Sequence, residues 1–251
     1  MTELDLRKAI CEAGRRLYAK NLVAATDGNI SVRLGSGRFL CTPSGVSKGF
    51  MAVNDLIVAD AKGNKLSGDG KVTSEFTTHL AAYEERPDMN AVVHAHPPKA
   101  LGFTIAGVSL ADCVLPEVIY TIGGIPTADY ATPATPEGAV AIRELIRKCD
   151  ALMMDRHGAL TVGVTVFDAL FKMEKIEHAS ESLLIARLLG RVRQLEGPEI
   201  EKLYKVREAY GVSGVAYKCS DGCTTEKTDE RPNESELDRV IVETLGVLGR
   251  G

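Results

Sequence analysis

The chain of 251 residues has no tryptophan, and only 5% of it is aromatic. Lys and Arg are scattered and the formal charge is −4. Without a basic block or a platform of stacking rings, a nucleic-acid surface is not expected. No apolar run approaches the ~20 residues that a membrane-spanning helix needs. The opening MTELDLRKAICEAG is too acidic, and its apolar content too broken, for a signal peptide. A cytoplasmic protein without membrane contact is therefore expected. Cys11, Cys41, Cys113, Cys149, Cys219 and Cys223 are spread too thinly for a disulfide scaffold and read as reduced thiols. Cys219 and Cys223 stand one residue wider than the redox Cys-x-x-Cys spacing, in a polar segment without a second pair, so they read as incidental. No Gly-x-Gly-x-x-Gly follows a strand pattern, which argues against a dinucleotide fold.

What is present is an ordinary globular composition, 45% hydrophobic and 25% charged, in a chain long enough for a full core. Leu6, Ile10, Ala13 and Leu17 recur at helical intervals over residues 4–20. GNISVRLGSGRFLCT reads as a hairpin, and DLIVADAKGNKLSG as another that turns at Lys62-Gly63-Asn64. Past Thr73 a helix is expected, capped by Thr73 or Ser74, with Glu75 in its first turn and Pro87 beyond its end. AVVHAH is a short strand, residues 98–106 another helix, and VLPEVIY and IPTADY strand segments. Helices opening at Pro136 and after Thr165, a strand pair in ALMMDRHGALTVG and a helix over PEIEKLYKVREAYG complete the pattern. Hairpins mixed with helices predict an α/β fold: a single three-layer α/β/α domain with a mostly antiparallel central sheet. Its catalytic part is expected over residues 1–213. Residues 214–251 read as a polar C-terminal extension, partly mobile, with a weak terminal helix.

Of only five histidines, His94 and His96 are separated by a single residue. On a strand they share a face, where two protonated rings would repel and a divalent cation would use both neutral nitrogens. A hydrogen-bonded pair in a polar cleft would satisfy the same spacing, but His157 tips the reading. It precedes Gly158 between two apolar strands, where a histidine does not improve a core, and it supplies a third ligand. Glu75 is the candidate fourth, as a ligand or as the base beside the cation. His79 lies four residues past Glu75, but also beside Ala82 and Tyr83, and reads as a packed, hydrogen-bonded histidine behind the site. His178, among glutamates on a long helix, reads as a surface or interface residue.

Three segments combine small residues with hydroxyls or amides: Thr26-Asp27-Gly28-Asn29, Thr42-Pro43-Ser44-Gly45 and Thr73-Ser74-Glu75. Together they can form a phosphate nest without a P-loop lysine, provided that they converge. Lys48 would add charge there or be solvated.

In this order, Gly28-Asn29-Ile30-Ser31, Thr42-Pro43-Ser44-Gly45, Ser74-Glu75, His94-Ala95-His96 and His157-Gly158 resemble the class II aldolase/adducin-head family, from about residue 4 to 213. The resemblance implies Zn2+, or Mn2+ or Co2+, on His94, His96, His157 and Glu75, with Glu75 also the acid/base. It implies phosphate contacts from Gly28, Asn29, Ser44, Gly45, Thr73 and Ser74, and proton transfer by Tyr120 and Tyr210. The implied reaction is reversible aldol cleavage of a ketose 1-phosphate, such as L-fuculose 1-phosphate, to dihydroxyacetone phosphate and an aldehyde through an enediolate. The implied assembly is a homotetramer with sites between subunits. Glutamate rather than aspartate at position 75 favours the aldolase branch over the sugar-phosphate 4-epimerases. Arg156 and Pro133 depart from the aldolase pattern, which leaves a β-keto acid decarboxylase as the main alternative. An adducin-like binding domain is the last, since such a domain has no need of all four ligands.

Overall fold

Thr2 starts the first helix: its hydroxyl accepts the Asp5 N–H, and the Asp5 carboxylate accepts the Thr2 N–H in return. The computed structural model describes residues 1–219. Helix α1 (Glu3–Ala19) leads into strands β1 (Asn29–Gly35), β2 (Arg38–Cys41), β3 (Ile57–Asp60) and β4 (Lys65–Ser67). Helix α2 (Phe76–Glu85), strand β5 (Ala91–Ala95), helices α3 (Pro98–Ile105) and α4 (Pro116–Ile119) and strand β6 (Thr127–Ala128) follow. Helix α5 (Pro136–Ile146), strands β7 (Ala151–Met154) and β8 (Gly158–Gly163), and helices α6 (Val166–Leu189) and α7 (Gly197–Ala209) close the described chain.

The strands form one sheet in the order β4-β3-β2-β1-β5-β8-β7-β6, antiparallel at every pairing except β6 with β7. Alternation along the central strands feeds two cores. Val93, Ala95 and Met153 pack on one face with residues of α1, α3 and α6. Val92, Leu152, Leu160 and Val162 pack on the other with residues of α2 and α5. The expected three-layer α/β/α domain with a mostly antiparallel sheet is the fold observed. Among the described residues no helix is long and apolar enough to cross a membrane.

Three local expectations differ. VLPEVIY is not a strand: Pro116 sits at the first position of α4, where its missing N–H costs nothing, and the Leu115 carbonyl accepts from Val118 and Ile119. The helix after Thr73 is not capped by Thr73 or Ser74; its N-cap is Glu75, whose side chain turns away to other partners. The reading of all cysteines as reduced also fails, because Cys113 and Cys219 form a disulfide while Cys11, Cys41 and Cys149 are buried and free. A separation of 106 residues closes only through tertiary packing. Cys223 and the weak helix expected near residue 240 lie outside the described residues.

Residues 213–219 lie against the body of the domain. The fully buried Asp150 accepts from Arg86 at 2.7 Å, from Lys172 at 2.9 Å and from the Val215 N–H at 2.9 Å. Its own N–H donates to the Val215 carbonyl. Removing Asp150 would leave two buried cations facing each other, at a cost of about 3–5 kcal/mol. Asp150→Ala is therefore expected to lower the melting temperature by roughly 6–15 °C. Asp88→Ala, whose partly exposed carboxylate pairs with the outer side of Arg86, is expected to shift it by only a degree or two. Thermal melts of the two variants check the contrast.

Candidate metal centre

His94 occupies the last turn of pairing between β5 and its neighbours, opposite Leu160 on β8 and Asn29 on β1. His96 lies just past β5, its N–H donating to the Leu22 carbonyl at 2.8 Å. His157 sits in the β7–β8 turn, next to Arg156, which takes a left-handed φ of 54°. The turn and the strand end thus bring the three rings to centroid separations of 4.8–5.4 Å. Gly158 makes the space. A Cβ there would lie 2.5 Å from the Ala95 carbonyl and 2.8 Å from ring atoms of both His94 and His96. Gly28, just before β1, allows a close backbone approach instead, with φ 71° and a Cβ position 2.6 Å from the Val23 side chain and 2.9 Å from the His94 carbonyl.

The donor atoms of His94, His96 and His157 all lie within 4.8 Å of one another. His94 Nδ1–H donates to the Ala159 carbonyl at 2.9 Å, so its Nε2 lone pair faces the cluster. That nitrogen stands 3.1 Å from His96 Nε2 and 3.3 Å from Glu75 Oε2. Donors on a tetrahedral cation with bonds near 2.0–2.1 Å are about 3.3 Å apart. Glu75 Oε1 lies 2.9 Å from His157 Nε2. Burial pushes the rings of His94 and His96 down to about 4, so both present neutral nitrogens near neutral pH. Burial also works to raise the Glu75 carboxyl, but the His94 ring and hydrogen bonds from His157 and Asn29 outweigh it and hold it below the usual carboxylate range. A buried set of imidazoles with an anionic oxygen beside it suits a divalent cation. The residues present fit the group.

The loops do converge. The Ser44 N–H donates to the Lys71 carbonyl at 2.9 Å, and Pro43 bridges Val72. The Thr42 hydroxyl accepts the Ile30 N–H, and the Thr42 N–H reaches the Ile30 carbonyl. These bonds tie together Ile30, Thr42–Ser44 and Lys71–Val72, residues in or next to the three segments. Ser44, Gly45 and Ser74 are exposed, whereas Thr73 and Asn29 are buried. Asn29 is already engaged, its amide nitrogen donating to Glu75 Oε2 at 2.8 Å. Lys48 is not solvated. It is 1% exposed, donates to the Thr26 and Val46 carbonyls at 2.7 and 2.6 Å, and is pushed down to about 8 by burial. Sequence pattern could not place that lysine, because both of its acceptors are backbone oxygens.

The two tyrosines stand apart from the cluster. Tyr120 is the half-buried C-cap of α4, with Lys175 over its ring, and Tyr210 is the C-cap of α7, 78% exposed. Arg207, in the last turn of α7, donates to the Tyr120 carbonyl at 3.1 Å, so the two helix ends are neighbours. Among the described residues neither tyrosine hydroxyl hydrogen-bonds to the histidines or Glu75. Arg156 pairs with adjacent Asp155 and is largely exposed, and His178 is exposed on α6.

This geometry has counterparts. Residues 8–184 match the family described as the class II aldolase and adducin N-terminal domain. The L-fuculose phosphate aldolase of Methanococcus maripaludis is 32% identical over 66% of this chain and 89% of its own. The 3-oxo-tetronate 4-phosphate decarboxylase of Haemophilus influenzae is 29% identical over 81% of this chain and 98% of its own. The crystal structure of L-fuculose-1-phosphate aldolase from Thermus thermophilus superposes with a TM-score of 0.67 at 31% identity, covering 76% of this chain and 98% of that one. Aldolase and decarboxylase relatives stand at comparable distance, so the likeness is to the family and not to the fuculose-phosphate aldolases alone. With most of its length matched and the three-histidine cluster in place, the chain belongs to the class II aldolase and adducin N-terminal domain family.

Proposed function

We propose that this chain is a metal-dependent carbon–carbon lyase that reversibly cleaves a ketose 1-phosphate, such as L-fuculose 1-phosphate, into dihydroxyacetone phosphate and an aldehyde. The observation that carries the reading is Glu75: an ionised carboxylate, 12% exposed, touching two of three clustered imidazoles. Zn2+ fits that donor set best, with Mn2+ or Co2+ as substitutes. When bound, the cation supplies positive charge to a substrate carbonyl and its neighbouring hydroxyl, which makes the adjacent carbon acidic. His94, His96 and His157 hold it, and Glu75 completes the set in the resting protein.

In the cleavage direction the bond between C3 and C4 breaks. The C4 hydroxyl proton leaves to a tyrosine, Tyr120 or Tyr210, as the aldehyde forms. The electron pair stays on C3, which takes up a proton that Glu75, ionised at rest, first collects from solvent, while the tyrosine returns the C4 hydroxyl proton to solvent. In synthesis Glu75 removes that proton again. Gly28, Ser44, Gly45, Thr73 and Ser74 seat the phosphate with backbone N–H groups and hydroxyls. Asn29 joins them with the one amide hydrogen that Glu75 leaves free. Tyr210, exposed at the end of α7, closes the outer side. The assembly is a homotetramer with sites between subunits, a reading supported by the exposed Ile185, Leu188 and Leu189 near the end of α6. The likeness to the Haemophilus enzyme favours a second reading, decarboxylation of a phosphorylated β-keto acid at the same centre.

Three outcomes are expected. Metal analysis should find about one divalent ion per chain. His94→Ala and Gly158→Ala should each lose it, together with the chelator-sensitive part of the melting temperature. A protein that held no stoichiometric ion yet stayed active would refute the metal centre. Dihydroxyacetone phosphate in heavy water should exchange one C3 proton without any aldehyde, and Glu75→Gln should slow that exchange by about 10²–10⁴-fold. No exchange, with CO2 released from a phosphorylated 3-oxo acid, would move the assignment to the decarboxylase. Tyr210→Phe should keep the ion and most of the exchange while slowing aldol turnover. Losses of exchange and turnover in equal proportion would place Tyr210 elsewhere in the sequence of steps.

A further inference from the structure

Behind Glu75 the buried polar groups form one continuous line. Asn29 Nδ2 donates to Glu75 Oε2 at 2.8 Å, and Asn29 Oδ1 meets His79 Nε2 at 2.5 Å. His79 Nδ1 meets Ser31 Oγ at 2.7 Å, and Ser31 Oγ meets the Tyr83 hydroxyl at 2.9 Å. None of Asn29, Ser31, His79 and Tyr83 is more than 3% exposed. Strand and helix periodicity aligns them. Asn29 and Ser31 share a face of β1, and His79 and Tyr83 lie one turn apart on α2, which covers that face.

The direction of each bond follows from donor and acceptor chemistry. Asn29 turns its amide nitrogen to the carboxylate, since the opposite orientation would press a carbonyl oxygen against a carboxylate oxygen. Its own Oδ1 then faces His79 and can only accept. His79 must therefore carry its hydrogen on Nε2 and accept at Nδ1 from the Ser31 hydroxyl. Ser31 in turn accepts from Tyr83. Burial, which pushes His79 down to about 4, keeps the ring to a single N–H. Every member has one orientation, and together they allow Asn29 only one.

We infer that His79 is a positioning residue: through Asn29 it fixes the rotamer of the Glu75 carboxylate, and so acts on proton transfer more than on the cation, which three histidines also hold, or on the phosphate, which five other residues also seat. The inference rests on the reading of Glu75 as the acid/base. A buried histidine needs partners for both ring nitrogens wherever it sits; what sets His79 apart is that one of those partners is the amide that also holds Glu75.

Two polar replacements separate the roles. Glutamine reaches the Nε2 position and keeps the donor to Asn29, whereas asparagine reaches only the Nδ1 position and keeps the Ser31 side. Exchange of dihydroxyacetone phosphate protons, bound metal and melting temperature would be measured on wild type, His79→Gln and His79→Asn. His79→Asn is expected to lower kcat for exchange about 10–100-fold, with KM and metal content within about twofold. His79→Gln is expected to recover to within about threefold of wild type. Equal losses in both variants, tracking the melting temperature, would make His79 a packing residue and overturn the inference. The tautomer is read separately by 15N NMR of histidine-labelled wild-type protein, with hydrogen on Nε2 expected. Hydrogen on Nδ1 would overturn the relay whatever the substrate. If wild type exchanges no proton while the Nε2 tautomer is found, the failure belongs to the assigned reaction and the relay stands.

Discussion

The pairing of β5 with β8 holds the centre together. His94 lies opposite Leu160 in that ladder, its Nδ1–H donates to the next carbonyl along β8, and Gly158 leaves room for two rings where the strands meet their turn. A one-residue slip would send every β5 side chain to the opposite face, taking His94 into the core beneath α6. Val92 and Val93 would only exchange cores in such a slip, so what opposes it is His94, which would enter an apolar core without its polar partners. The register that stabilises the sheet is thus also the one that aims the His94 ring into the cluster. Stability and function share a constraint here.

The same face carries an unusual load of polar side chains. Each polar group taken out of water without a partner costs on the order of 1–3 kcal/mol. Asn29, Ser31, His79 and His94 avoid most of that cost because each has hydrogen-bond partners on the neighbouring strands and helix. In contrast, the buried His157 Nδ1 meets no hydrogen-bond partner among the described residues. His157 therefore takes its orientation from its turn and from Glu75. That division gives the cluster one histidine fixed from behind by a strand and another fixed by a turn whose Arg156 backbone is left-handed. Among the members of such a centre, the more rigid parts belong to the sheet.

Much of this was legible in the sequence because it followed local periodicity. The strand placing His94 two residues before His96, the turn at His157 and the hydroxyl-bearing loops are all short-range patterns, and so is the succession of hairpins and helices. What was not legible depended on partners far along the chain. Glu75 forgoes capping its own helix because Asn29, His94 and His157 claim its carboxylate. Lys48 is buried by two backbone carbonyls that no residue type announces. The Cys113–Cys219 pair and the Asp150 contacts to Val215 come together only after residues 213–219 settle on the body. α4 was misread because Val118 and Ile119 favour strands, while Pro116 sets a helical start.

The inner and outer parts of the site differ in how they are held. The histidines, Glu75, Asn29 and His79 are fixed by the sheet and by one another. Tyr210, Arg156, Ser44 and Ser74 are exposed and sit on helix ends, turns and loops. A substitution among the second group disturbs few buried contacts and costs little stability. A substitution among the first group breaks a ladder or a relay. Relatives that cleave sugar phosphates and relatives that remove CO2 are both similar to this chain, which is what such a division permits. Both chemistries need a carbanion held beside a carbonyl and a carboxylate that can manage one proton. They differ in the group that leaves.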